Sequence, residues 1–168
     1  MAREQFDAAM KEIADIIGSQ PFDERLENTL NEVLPSDGAR FAKIQKIVEE
    51  AVADGWVFDG ENRGLRYGRP IKPTPEMHNM SVDIVKYRDL KGPYHGHPNG
   101  EVCMIMPTDG PAEFDGHGKG WCVYEAGSGH YPIIGKGEAI VIYLLPQGAI
   151  DFKATPPDKA SAGSAGAA

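Results

Sequence analysis

Residues 93–101 read Pro-Tyr-His-Gly-His-Pro-Asn-Gly-Glu (PYHGHPNGE) and hold two of the chain's five histidines. If Pro93 to His97 is extended, side chains at i and i+2 share a face, so His95 and His97 project together. The turn residues Pro98-Asn99-Gly100 reverse the chain, and Glu101 returns to the same face on the next strand. Two imidazoles and a carboxylate then converge, a donor set suited to a borderline divalent ion such as Zn, Fe, Mn, Ni or Co. His130 offers a fourth ligand, since it follows the turn Gly127-Ser128-Gly129 and opens a further extended segment. The stretch therefore reads as strand, turn and strand around a candidate metal centre.

Outward from it, residues 56–152 keep strand texture. Short alternating or apolar blocks at 65–67, 80–88, 101–106, 121–125, 131–134 and 138–145 are separated by Gly- and Pro-containing turns, Lys136-Gly137 among them. Several short strands at regular intervals predict a sandwich or small barrel. Residues 1–55 are helical instead. Phe6, Met10, Ile13 and Ile17 recur at helical spacing before Gly18. A second helix over 22–34 carries Phe22, Leu26, Leu30, Val33 and Leu34 on one side. A third, opened by a Ser36 or Asp37 cap and closed by Gly55, turns Phe41, Ile44, Ile47, Val48 and Val52 inward. Residues 153–168 are a small-residue tail, expected to be disordered because it cannot bury enough apolar surface to offset its ordering entropy. The run AIVIYLL at 139–145 suits either a core or a dimer seam.

With 168 residues, 41% of them hydrophobic and 25% charged, the chain is expected to form one globular core. A net charge of −8 leaves no basic stripe for nucleic acid or an anionic membrane. No run approaches the ~20 apolar residues of a membrane helix, and the N-terminus lacks the pattern of a secretory signal. Cys103 and Cys122 lack CxxC spacing and read as core residues. A cytoplasmic protein is the expectation.

The spacing His-x-His-x3-Glu, followed by Gly-x-x-His from Gly127 to His130, resembles the two metal-binding motifs of the cupins, double-sheet β-barrels with a metal in the barrel mouth. The chain departs from that pattern at Asp89 and Glu125, where cupins carry Gly and Pro, and at Ile134, where they carry Asn. Three segments together, GPYHGHPNGE, FDGHGKGWCVYEAGSGHYP and AIVIYLLPQGAIDF, behind an N-terminal helical region, resemble the 4-hydroxylaminobenzoate lyase family. The resemblance implies a mainly β, cupin-like double-sheet barrel over 56–152 behind about three helices in 1–55. It also implies conversion of 4-hydroxylaminobenzoate and water into 3,4-dihydroxybenzoate (protocatechuate) and ammonia, in nitroaromatic degradation.

That reaction is redox-neutral, so it demands neither nicotinamide nor flavin, and no GxGxxG joins a strand to a helix here. A divalent transition metal on His95, His97, Glu101 and His130 can act as a Lewis acid; the same residues can also run acid and base steps without one. The substrate carboxylate asks for a guanidinium, for which Arg63, Arg66 and Arg69 in NRGLRYGRP are the candidates. Tyr94, Trp121 and Tyr124 are candidates to flank the ring, and His117 to donate a proton. A homodimer or higher homo-oligomer is expected. Two other readings compete: a different metal-dependent cupin activity, oxygenase or isomerase, on a small aromatic or sugar acid, and a small-molecule-binding cupin without catalysis.

Overall fold

The structure, a computed structural model, describes residues 2–157 of the chain. Helices α1 (Ala2–Ile17), α2 (Glu24–Val33) and α3 (Ala39–Asp54) come first. They bury the stripes read from the sequence: Phe6, Met10, Ile13 and Ile17 in α1, Leu26 and Leu30 in α2, Phe41, Ile44, Val48 and Val52 in α3. Val33 departs from its stripe and is exposed. Asp23 caps α2, accepting from the Leu26 amide at 3.1 Å, an arrangement worth about 1 kcal/mol. The Ser36 or Asp37 cap expected on α3 does not form. These two residues are the middle of a tight turn, closed by the Gly38 amide on the Pro35 carbonyl at 2.9 Å, and Gly38 itself is the N-cap.

Nine strands follow: β1 (Gly60–Asn62), β2 (Leu65–Ile71), β3 (Met80–Lys91), β4 (His95–His97), β5 (Glu101–Asp109), β6 (Glu113–Phe114), β7 (Gly120–Tyr124), β8 (Ser128–His130) and β9 (Ile133–Pro146). One antiparallel sheet runs β1-β2-β3-β9-β5-β7, with β6 also paired to β9, and β4 and β8 form a separate two-stranded ladder. Three helices ahead of antiparallel sheets is the expected cupin-like layout. One part of the expectation is corrected: among the described residues no hydrogen-bonded strand pairing joins the two sheets into a closed barrel. The three-residue strands β4 and β8 spend their ladder bonds on each other and on Asp151, so the second sheet lies against the first without closing onto it.

The segments 131–134 and 138–145, expected as two strands, are largely one. The Lys136-Gly137 turn is a bulge inside β9, between the pairs Arg88↔Glu138 and Leu90↔Ile134. Gly137 has φ 142°, and a Cβ there would lie 2.0 Å from the Asp109 carbonyl oxygen, so the backbone of β5 excludes any side chain. Opposite the bulge, Asp89 sits at φ 41° and its carboxylate accepts from the Gly137 amide at 3.1 Å. The position where the cupin pattern carries glycine has a left-handed backbone in this chain. Asp tolerates that conformation better than most residues and adds a bond.

The large sheet is covered on both faces. Val82, Ile84, Met104, Ile142 and Leu144 share one core with the three helices; Tyr87, Cys103, Tyr124, Val141 and Tyr143 form a second cluster on the opposite, inner face. β5 and β9 are covered on both sides, which is why VCMIM and AIVIYLL are unbroken apolar runs. AIVIYLL is core, each fully buried side chain contributing about 1.5–3 kcal/mol. No described helix is long and apolar enough to cross a membrane. Of the expected tail, residues 153–157 carry no helix or strand and 158–168 lie outside the described residues.

Candidate active site

The β4–β8 ladder sets His95 opposite His130 and His97 opposite Ser128. Its imidazoles stand over the inner face of the large sheet: His97 and His130 lie 5.4 and 4.7 Å from the Tyr124 ring, and His130 lies 5.9 Å from Phe114. One ring nitrogen from each of His95, His97 and His130 falls within 4.8 Å of the other two, and all three residues are buried. Glu101, at the start of β5, is fully buried with Oε2 3.1 Å from His97 Nε2. The mutually close set is therefore the three imidazoles, with Glu101 joined to it through His97.

Each ring is oriented through its Nδ1. His95 Nδ1 donates to the Pro93 carbonyl at 3.3 Å, His130 Nδ1 donates to the Asp115 carboxylate, and His97 Nδ1 pairs with Ser128 Oγ at 3.2 Å. Carbonyls and carboxylates only accept, so His95 and His130 carry their protons on Nδ1 and present Nε2 lone pairs. Those two Nε2 atoms are 3.2 Å apart. Two lone pairs at that distance repel, and a shared cation satisfies both. His97 Nε2 and Glu101 Oε2 face each other at 3.1 Å, buried and with no further hydrogen-bond partner. Outer bonds at Nδ1 with inward Nε2 atoms are the arrangement of metal-binding histidines. The cluster can hold a divalent transition ion.

The electrostatics agree. Burial pulls the His95 imidazole down to about 4 against the opposing pull of Glu101, so the ring is a neutral ligand near pH 7. Burial would raise the Glu101 carboxyl, but His97, His130 and the Cys103 thiol, which donates to Oε1 at 3.0 Å, together hold it below its ordinary value. Glu101 is an ionised carboxylate beside the imidazoles.

Asp115 was legible only as part of an Asp-Gly turn. In the structure it organises one side of the site, accepting from His130 Nδ1, from Tyr124 Oη at 2.7 Å and from the Ile133 amide at 2.8 Å. Burial would raise its carboxyl, yet the bonds from His130, Tyr124 and Ile133 hold it below its ordinary value. Its φ of 51° is tolerated by Asn as well as by Asp. Asp115→Asn therefore keeps the turn while weakening the hold on His130. Divalent-ion affinity, read by chelator competition, is expected to fall about 10- to 100-fold, and unchanged affinity would remove Asp115 from this role.

A cavity of about 500 Å³ opens beside His95. Its walls are mainly apolar or aromatic, including Leu65, Val85, Tyr87, Tyr143, Leu145 and Phe152, and its polar side holds Arg69 with Asp83. Of the three candidate arginines only Arg69 lines it. Arg63 is exposed in the β1–β2 turn at φ 53°, and Arg66 stacks on Phe58 with its guanidinium carbon 4.1 Å from the ring centre. Arg69 holds Asp83 through Nε at 3.0 Å and Nη2 at 3.1 Å, and Nη2 also donates to the Gly148 carbonyl at 2.9 Å.

The aromatic candidates divide. Tyr124 borders the imidazoles. Trp121 faces the helices, its Nε1 donating to the Leu34 carbonyl at 2.9 Å and its ring set edge-on to Phe41. It is corrected from substrate contact to core, because residues three apart on a strand point to opposite faces. Tyr94 stacks on Tyr131 and does not line the cavity. His117 is exposed, tied to Phe114 by backbone bonds alone, and stands outside the cluster.

Comparison with known proteins places the chain in a family. A family model described as PnbB, 4-hydroxylaminobenzoate lyase, matches residues 8–152, which include all the imidazole ligands, Glu101 and Asp115. A 4-hydroxylaminobenzoate lyase of Nocardioides sp. (strain LMS-CY) is 34% identical over 144 residues, covering 80% of this chain and 85% of that protein. One from Pseudomonas putida is also 34% identical over 144 residues, covering 76% and 82%. Among solved structures, an RmlC-like cupin protein from Ralstonia eutropha JMP134 aligns with TM-score 0.38 and 9% identity, over 53% of this chain and 60% of that one. On the family match and the two relatives, the chain is an enzyme that belongs to the 4-hydroxylaminobenzoate lyase family.

Proposed function

We propose that the protein converts 4-hydroxylaminobenzoate and water into 3,4-dihydroxybenzoate and ammonia. The observation that carries this reading is the adjacency of a three-imidazole cluster to a cavity whose walls are apolar and aromatic and whose polar side holds an arginine. The names of the two relatives support the substrate.

Redox neutrality follows from the bonds. Heterolysis of N–O sends the electron pair to the departing hydroxyl, which leaves as water once protonated. Water adds to the ring carbon beside the one bearing nitrogen, giving a hydroxycyclohexadienimine; hydrolysis of its C=N bond releases ammonia, and the hydroxydienone left behind tautomerises to the catechol, so one water is consumed overall. A divalent ion bound by His95, His97 and His130 would supply Lewis acidity and a water of lowered pKa. Glu101, ionised with Oε2 3.1 Å from His97 Nε2, sets a negative charge beside the imidazole cluster that would offset the charge of a bound ion. Arg69 faces the cavity with Nε and Nη2 committed to Asp83 and Gly148, which leaves Nη1 for the substrate carboxylate. The apolar walls keep bulk water from the ring, which limits off-pathway attack.

The test is incubation of purified, metal-loaded protein with 4-hydroxylaminobenzoate in an oxygen-electrode cell, following ammonia and the catechol product together. Equal amounts of both with no oxygen uptake is the expected result. Oxygen uptake matched to product would favour an oxygenase, and no product would sink the reading. On the same assay, Arg69→Met is expected to raise KM about tenfold or more with a smaller change in kcat. Equal KM values would release Arg69 from carboxylate binding.

A further inference from the structure

Gly96 lies between two imidazole ligands, and nothing in their chemistry asks for glycine there. The reason lies at the far end of the chain. Residues 150–154 cross the β4–β8 ladder as a strap. Gly96 and Asp151 exchange both backbone hydrogen bonds, at 2.8 and 2.9 Å, and a Cβ on Gly96 would lie 3.1 Å from Ala154 Cβ. Asp151 also accepts from the Lys153 amide at 2.9 Å, which fixes the local turn.

The strap delivers one side chain to the site. The Phe152 ring lies 5.6 Å from that of His95 at 62°, an edge-on contact, and forms part of the cavity wall. Yet Phe152 is 63% exposed, more than any other large apolar residue described. A phenylalanine pinned by its backbone over a metal-type centre, with most of its surface bare, is a ring waiting for apolar cover. The cavity beneath it has space for such a group, with Leu65, Val85 and Leu145 among its other walls.

We infer that Phe152, carried by the strap, is a substrate-contacting residue that packs against the benzene ring of the substrate and selects aromatic acids over aliphatic ones. The inference rests on the benzoate reading above. It also explains the histidine-glycine-histidine pattern: glycine is the residue that lets the strap approach close enough to bring Phe152 over His95.

The test uses 4-aminobenzoate, which keeps the ring and carboxylate but has no N–O bond to break. Its binding to metal-loaded wild type, Phe152→Ala and Phe152→Tyr is measured by calorimetry, alongside thermal melts. Phe152→Ala is expected to weaken binding about tenfold and to raise KM for 4-hydroxylaminobenzoate in step with little change in kcat, while Phe152→Tyr stays within about twofold of wild type. The melting temperature should not move, because so exposed a side chain contributes little to the fold. Unchanged affinity in Phe152→Ala, a lowered melting temperature in that variant, or a wild type that does not bind 4-aminobenzoate would each overturn the inference. A wild type that binds 4-aminobenzoate but releases no ammonia from 4-hydroxylaminobenzoate would overturn the proposed reaction and leave the ring contact standing.

Discussion

Ammonia release from 4-hydroxylaminobenzoate is expected to fall more than about 100-fold in His95→Ala, because the variant loses one of three Nε2 donors. Partners that merely orient a ligand are worth about 10- to 100-fold in affinity or activity, and removal of the ligand itself should cost at least the upper end of that range. The loss should be confined to chemistry. His95 is a neutral ring at the cavity edge with no carboxylate bonded to it, and its removal relieves the facing lone pairs of His95 and His130. Unfolding by denaturant in the metal-free state should change by no more than about 1–2 kcal/mol. A variant with wild-type turnover would place the chemistry elsewhere.

His97→Ala should lose turnover to the same degree and stability as well. Its Nε2 is the imidazole nitrogen facing the fully buried Glu101 carboxylate, and removal of one member of a buried pair leaves the other charge uncompensated, at a cost of about 3–5 kcal/mol. The second change Glu101→Gln removes that charge. The double variant His97→Ala/Glu101→Gln should therefore recover much of the lost stability and none of the lost activity. If His97→Ala is as stable as His95→Ala, Glu101 is not the buried charge described here.

The contrast between these two histidines shows what the sequence could and could not convey. His-x-His-x3-Glu made both rings and the carboxylate legible, because strand alternation and a Pro-Asn-Gly turn are local matters. That Glu101 stands behind His97 and not beside His95 depends on how the β4–β8 ladder lies across β5, which no local spacing records. Asp115 was hidden for the same reason: an Asp-Gly pair reads as a turn, and its bonds to His130 and Ile133 reach 15 and 18 residues along the chain. Other misses were avoidable. Trp121 and Tyr124, three apart on one strand, cannot share a face, so alternation alone assigned at most one of them to the site.

The fold followed a similar division. The helices were plain from their apolar spacing and glycine stops, and β3, β5 and β9 from their long apolar or alternating runs. The β9 bulge was misread as a turn because Lys136-Gly137 has turn composition; what makes it a bulge is the pairing of β9 with β3 on one side and β5 on the other. Arg69 was indistinguishable from Arg66 and Arg63 until β2 was seen to pass beside Asp83.

The central claim is that three Nε2 atoms share one divalent ion on which turnover depends. Its most direct test is ammonia release by chelator-stripped protein as a divalent transition ion is titrated back. Activity that is absent in the stripped protein and rises linearly to a break at one ion per chain is the predicted result. Full activity in protein shown to be free of metal, with no change on adding it back, would contradict the account.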